Sequence, residues 1–210
     1  MELRELLARR RMVRSFDGTP VDLDWLDERC ADALWAPTAG NSAGVRMYTV
    51  GREHVPEYLD AATDAAWREN SDRFAGISRA GAVVLVTTRP QDYLARYGEA
   101  DKSRSGLAER DAWTVPYWTS DAAMATMALL LLLEEAGLQA ALWGNFRRER
   151  DVLDWAGVTD EELVATVLIG RGDGRDRPSV SSGRAVPTRA QRVRRVPSGA
   201  TRPRPLRAGG

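Results

Sequence analysis

A chain of 210 residues, 43% of them hydrophobic, is long enough for one domain with a sizeable core, or one domain with a tail. Basic and acidic residues balance at 30 each, yet residues 171–210 hold 11 arginines and two acids, so the body is acidic, which argues against a nucleic-acid-binding core. One cysteine, Cys30, excludes an intrachain disulfide and fits a reducing, cytoplasmic setting.

The start, Met-Glu-Leu-Arg-Glu, has no apolar signal stretch. Leu3, Leu6 and Leu7 place a short helix over about 2–9. Asp17 to Pro20 is a turn, and Asp22 caps a second helix over about 23–35. Trp25 and Trp35 on that helix read as core residues. Pro37-Thr38-Ala39-Gly40-Asn41 is a break dense in turn formers. A strand follows at 47–50, then a helix at about 56–67. Ala82 to Thr88 is the clearest strand, ended by Arg89-Pro90. Residues from about 98 to 114 are polar and without periodicity, which suits a loop or lid. A long helix covers 117–136, ended by Gly137. Its apolar run, Ala122 to Leu133, is broken only by Thr126 and is shorter than the roughly 20 residues a membrane span needs. A strand at 140–143, a helix at 147–155 and a strand at 163–169 complete the pattern. The alternation lacks the regularity of a Rossmann unit and indicates an α+β or mixed α/β sandwich. Residues 1–186 form the expected domain. Residues 187–210, rich in Arg, Pro and Gly, are expected to be extended or disordered.

Familiar catalytic patterns are absent. His54 is the only histidine, and no metal-ligand spacing involves it or Cys30. Gly170-Arg171-Gly172-Asp173-Gly174 follows a strand but lacks the dinucleotide fingerprint, so it reads as a loop. With so few acids and bases placed for catalysis, the reactive group of an enzyme here would come from a cofactor. The first candidate site is Arg9-Arg10-Arg11-Met12-Val13-Arg14-Ser15-Phe16. Clustered guanidinium groups suit phosphate oxygens, because the planar fork binds them in pairs. A solvated basic helix end accounts for the same charges.

Arg10-Arg11-Met12-Val13-Arg14-Ser15-Phe16, followed by Pro20-Val21, resembles the opening of the FMN-dependent nitroreductase family. Ala36-Pro37-Thr38-Ala39-Gly40-Asn41-Ser42 is similar to a second family segment. The apolar helix ending in Gly137-Leu138, then Leu142-Trp143-Gly144-Asn145-Phe146, then Val167 to Gly170 with Ser182-Gly183-Arg184, follow in the family's order. The resemblance implies an α+β fold, a nitroreductase-like α/β sandwich with a mixed, mostly antiparallel central sheet flanked by helices. It implies FMN, with NADH or NADPH as co-substrate and a nitroaromatic- or quinone-like acceptor. Arg10, Arg11, Arg14 and Arg184 would neutralise the phosphate. Met12, Pro37, Thr38 and Asn41 would shape the cofactor site, with Trp143 and Gly144 near the ring. No catalytic acid and no metal is implied. The family buries the long helix at a homodimer interface. Met12 departs from the usual Ser, and Ala43-Gly44-Val45 from Gln-Pro-Trp. Those departures keep two alternatives open: an oxygen-using flavin enzyme of the same fold, and a binding protein that has lost the flavin. Trp113, Tyr117 and Trp118 fit a substrate pocket and fit packing at a helix start equally well.

Overall fold

The computed structural model describes residues 2–145, 147–177, 179 and 183–195. The chain divides into two units, residues 1–176 and 177–210.

The first unit is built on a four-stranded sheet of β1 (Val45–Gly51), β2 (Ala82–Thr88), β3 (Gln139–Trp143) and β4 (Glu162–Gly170). The strand order is β1-β2-β4-β3, and all three ladders are antiparallel. The fold is therefore α+β. The only parallel pairing among the described residues is one bridge between Met12 and Ala140. Every residue of β2 is buried, which explains why its sequence is a continuous apolar run rather than an alternating one.

Period-two alternation sends successive β2 side chains to opposite faces. Val84 and Val86 join Ala122, Leu129 and Leu133 of α7 (Tyr117–Glu135) and Leu26 and Cys30 of α2 (Leu23–Ala33). Val83 and Leu85 join Val55, Tyr58 and Leu59 of α3 (Val55–Ala62), Ile77 of α5 (Phe74–Ile77) and Val152 of α8 (Glu149–Trp155). Burial pushes the Cys30 thiol up to about 12, so it behaves as a small apolar core residue. α1 (Leu3–Arg9) packs on α7, tied there by Arg9 to Glu134 at 2.7 Å.

Three differences from the sequence reading have local causes. The helix expected over 56–67 is two helices, because Asp64 leaves the helical region and its carboxylate accepts Trp67 N–H, starting α4 (Ala65–Asn70). Arg89-Pro90 ends β2 as expected, but Pro90 also opens an unforeseen helix, α6 (Pro90–Gly98), at the first position where a missing N–H costs nothing. Trp25 is half-buried against the core, whereas Trp35 is 87% exposed. The second helix stops at Ala33, so Trp35 no longer lies on its buried face.

The 98–114 loop holds two 3-10 turns, Ser103–Ser105 and Arg110–Ala112. Trp113 pins it by donating its indole N–H to the Leu107 carbonyl at 2.8 Å. In the second unit, α9 (Arg189–Arg192) is one turn with a reciprocal cap between Thr188 and Gln191. Residues 196–210 of the expected tail lie outside the described residues. No described helix is long and apolar enough to cross a membrane.

Candidate functional site

The arginine segment leaves α1 and runs beside the edge strand β3. Val13 N–H donates to the Ala140 carbonyl at 3.0 Å, and the Met12 thioether accepts Leu142 N–H at 3.2 Å. Methionine thus occupies its position as a ligand of the strand edge. Further on, Phe16 is fully buried and bridges Gly172. Arg14 N–H donates to Asp176 at 2.9 Å, and the Ser15 hydroxyl to Asp173 at 2.9 Å. Arg79 also pairs with Asp173, at 2.6 Å. Hydrogen bonding from Arg175 N–H, with help from Ser15 and Arg79, holds the Asp173 carboxyl below the usual carboxylate range. The Gly170–Gly174 stretch therefore anchors the arginine segment. Sequence reasoning missed Asp173 and Asp176 in this role, since two acids in a basic stretch carry no motif.

The four arginines do different things. Arg9 binds Glu134. Arg11 is exposed, and its Nη1 caps the last carbonyls of α1, those of Ala8, Arg9 and Arg10. Arg14 is half-buried, and its guanidinium makes one long bond of 3.4 Å to the Met12 carbonyl. Arg10 is the exception. Its Nε and Nη1 are buried and have no hydrogen-bond partner. A buried guanidinium left unsatisfied costs several kcal/mol unless an anion completes it. The two donors point from different sides of the guanidinium, and each can give an anion one charge-assisted hydrogen bond.

The segment has one tight neighbour. A Cβ added at Gly76 would lie 2.6 Å from the Arg14 carbonyl oxygen and 3.0 Å from Ser15 Cα. Gly76→Ala is expected to displace the segment, lowering stability by about 1–3 kcal/mol and weakening anion binding. Thermal melts and a phosphate-ligand titration check this.

At the end of β3, Trp143 and Gly144 border a cleft of about 380 Å³ that also includes Trp67, Arg147 and Arg148. Trp67 and Trp143 meet edge to face, with centroids 5.3 Å apart. Gly144 is exposed, and the loop is held from below by Asn145, which is 6% exposed. Asn145 accepts the Tyr58 hydroxyl at 3.0 Å and donates to Thr166 at 2.7 Å. Phe146 lies outside the described residues. Thr166→Val strands the Asn145 amide, and a loss of about 1–3 kcal/mol in denaturant unfolding is expected.

Pro37, Thr38 and Asn41 lie on the loop before β1. Gly40, Asn41 and Ala43 all have positive φ, at 64°, 54° and 52°. The Asp121 carboxylate of α7 fixes this loop by accepting Ala39 N–H at 2.7 Å. Pro37 and Asn41 are exposed. The loop feeds one edge strand, whereas Arg10, Met12, Trp143 and Gly144 line the other. Three interstrand spacings, about 14 Å, separate those edges. One chain therefore does not bring the two groups together through its sheet.

Trp113 and Trp118 are buried in an aromatic cluster with Tyr93, against which Ala39 packs; Tyr117 is half exposed. Arg184 belongs to the second unit and is exposed there, and Ser182 lies outside the described residues. His54 is exposed beside Glu53 and Glu57. No cluster of potential metal ligands occurs among the described residues.

The nitroreductase family model matches residues 7–171. The chain belongs to the nitroreductase family. Its fold is shared with solved members at low identity. The nitroreductase CinD from Lactococcus lactis, solved with chloramphenicol, is 15% identical with a TM-score of 0.71, over 93% of this chain and 100% of that one. An enone reductase of gut-bacterial fatty acid saturation is 17% identical with a TM-score of 0.65, over 85% and 92%. A Staphylococcus epidermidis protein described as an NAD(P)H:FMN oxidoreductase is 19% identical with a TM-score of 0.62, over 88% and 95%. A search of curated proteins finds no match. Family membership makes the chain an oxidoreductase, and the matched span contains every candidate residue except Arg184.

Proposed function

We infer that the protein is an FMN-dependent oxidoreductase that takes electrons from NADH or NADPH and reduces a small nitroaromatic- or quinone-like acceptor. The observation that carries the reading is the pair of buried, unpartnered donors on Arg10, in a family member whose arginine segment has the composition of a phosphate anchor. The donor set fits the cofactor's phosphate. When bound, FMN supplies two-electron hydride chemistry.

The chain's own residues bind and orient. Arg10 would give the phosphate a charge-assisted hydrogen bond from a donor that has no partner in the fold, and Arg14 would add charge beside Met12. The exposed Gly144 leaves backbone open to a flat ring, and Trp143 walls the cleft. Pro37, Thr38 and Asn41 shape the opposite side, and Trp113, Tyr117 and Trp118 stand behind them towards the acceptor. Because one chain holds these two groups on opposite sheet edges, a second copy supplies one of them, and the active form is a homodimer. Apolar surface supports this: Met124 of α7 is 43% exposed, and Leu3 and Leu7 of the helix packed on it are 59% and 50% exposed.

Purified protein is expected to be yellow, or to become so on adding FMN, and NADH or NADPH should bleach it under nitrogen. A colourless protein that takes up no FMN would sink the reading.

A further inference from the structure

The start of α7 brings a buried carboxylate beside the Pro37–Val45 loop. Asp121 is 2% exposed, and both of its hydrogen bonds fall on one oxygen. Oδ2 accepts Ala39 N–H at 2.7 Å and the Tyr93 hydroxyl at 3.0 Å. Oδ1 accepts none among the described residues. Next to it lies a pocket of about 150 Å³, walled by Leu34, Ala36, Val45 and Ala125, with Thr38 and Asp121 as its polar members. The Thr38 oxygen already accepts Ala43 N–H at 3.1 Å.

The wall is mostly apolar, and its open polar groups are Asp121 Oδ1 and the Thr38 hydroxyl, which keeps its own O–H to donate. An apolar cavity of about this size takes a guest the size of benzene. One carboxylate oxygen facing such a space selects a ring that brings a hydrogen-bond donor and rejects a ring that brings a second anion.

We propose that this pocket binds a single aromatic ring bearing a hydroxyl or amino group, with the donor on Asp121 Oδ1 and the ring against Ala36, Val45 and Ala125. Its occupant is the ring of the electron acceptor, an assignment that rests on the flavin reading above. The binding chemistry of the pocket does not depend on it. Thr38 and Ala39 connect the two, since the loop that presents Thr38 is the one Asp121 holds.

Calorimetric titration of the full chain with phenol, toluene and benzoate tests the pocket. Phenol is expected to bind at least about tenfold more tightly than toluene, and benzoate not to bind. Val45→Phe fills the space and should abolish phenol binding while FMN retention stays unchanged. Ala36→Leu, at a half-buried wall, does the same should the first variant fail to fold. Asp121→Asn should cut the preference for phenol over toluene. In FMN-loaded protein, phenol should raise KM for 4-nitrophenol without lowering kcat. Equal binding of phenol and toluene, no binding, or binding that survives a folded filled variant overturns the proposal. Phenol that binds without competing removes the acceptor assignment. A colourless protein with Val45-dependent phenol binding would defeat the flavin reading and leave the pocket standing.

Discussion

Arg10→Ala is expected to purify without flavin and to bind added FMN at least about tenfold more weakly than the parent. The estimate follows from one charge-assisted hydrogen bond at about 1.5–3 kcal/mol, with about 1.4 kcal/mol per tenfold. The substitution does not cost the fold a bond, because Nε and Nη1 make none. Removing a buried, unsatisfied charge should leave the melting temperature of the apo protein unchanged or higher. Arg11→Ala is the internal control. Its guanidinium serves carbonyls of α1, so flavin affinity should stay within about threefold while the helix end loses its cap. Arg14→Ala added to Arg10→Ala should deepen the loss. Fluorescence quenching of FMN on titration reads all three, and a double variant that stays yellow would show the anchor to be misassigned.

Met124→Asp is expected to turn a yellow dimer into a colourless monomer. Met124 lies on the solvent-facing side of α7 and is 43% exposed, so the carboxylate meets water in an isolated chain and the fold tolerates it. In a two-fold interface the same change enters twice, and burying an unpaired carboxylate costs several kcal/mol. A weakening of association by about two orders of magnitude or more follows. Flavin should be lost together with the dimer, because the Arg10–Trp143 edge and the Pro37–Asn41 edge then have no partner. Sedimentation and the visible spectrum, measured on one sample, decide it. A monomer that keeps its flavin would mean that one chain holds the whole site.

Most elements were legible because their signals are local. Ala82–Thr88 announced a buried strand by its β-branched run, and Asp22 announced α2 by its cap. Gly137 ended α7 with a left-handed residue, at φ 78°. What escaped depended on distant partners. Pro90 punctuates equally well as a strand end and as a helix start, and Tyr93 had to meet Asp121 before the second meaning showed. Trp35 looked like core until the helix beneath it stopped. Candidate site residues can be listed from the sequence, but their arrangement cannot. The arginines look alike in sequence, and only their partners separate Arg11, a cap, from Arg10, whose Nε and Nη1 have none. Asp121 carries no motif in the sequence, although it organises the loop between Pro37 and Val45.

The thioether of Met12 and the amide of Val13 lie along β3, which is the last strand on its side of the sheet. An uncovered strand edge is a template for another chain. The arginine stretch is therefore also the guard on that edge. Loosening the stretch bares the backbone of Ala140 and Leu142, whose side chain is already 43% exposed. Loss of cofactor and onset of self-association should then rise together, and light scattering of the protein during storage should track the fraction that has lost its colour.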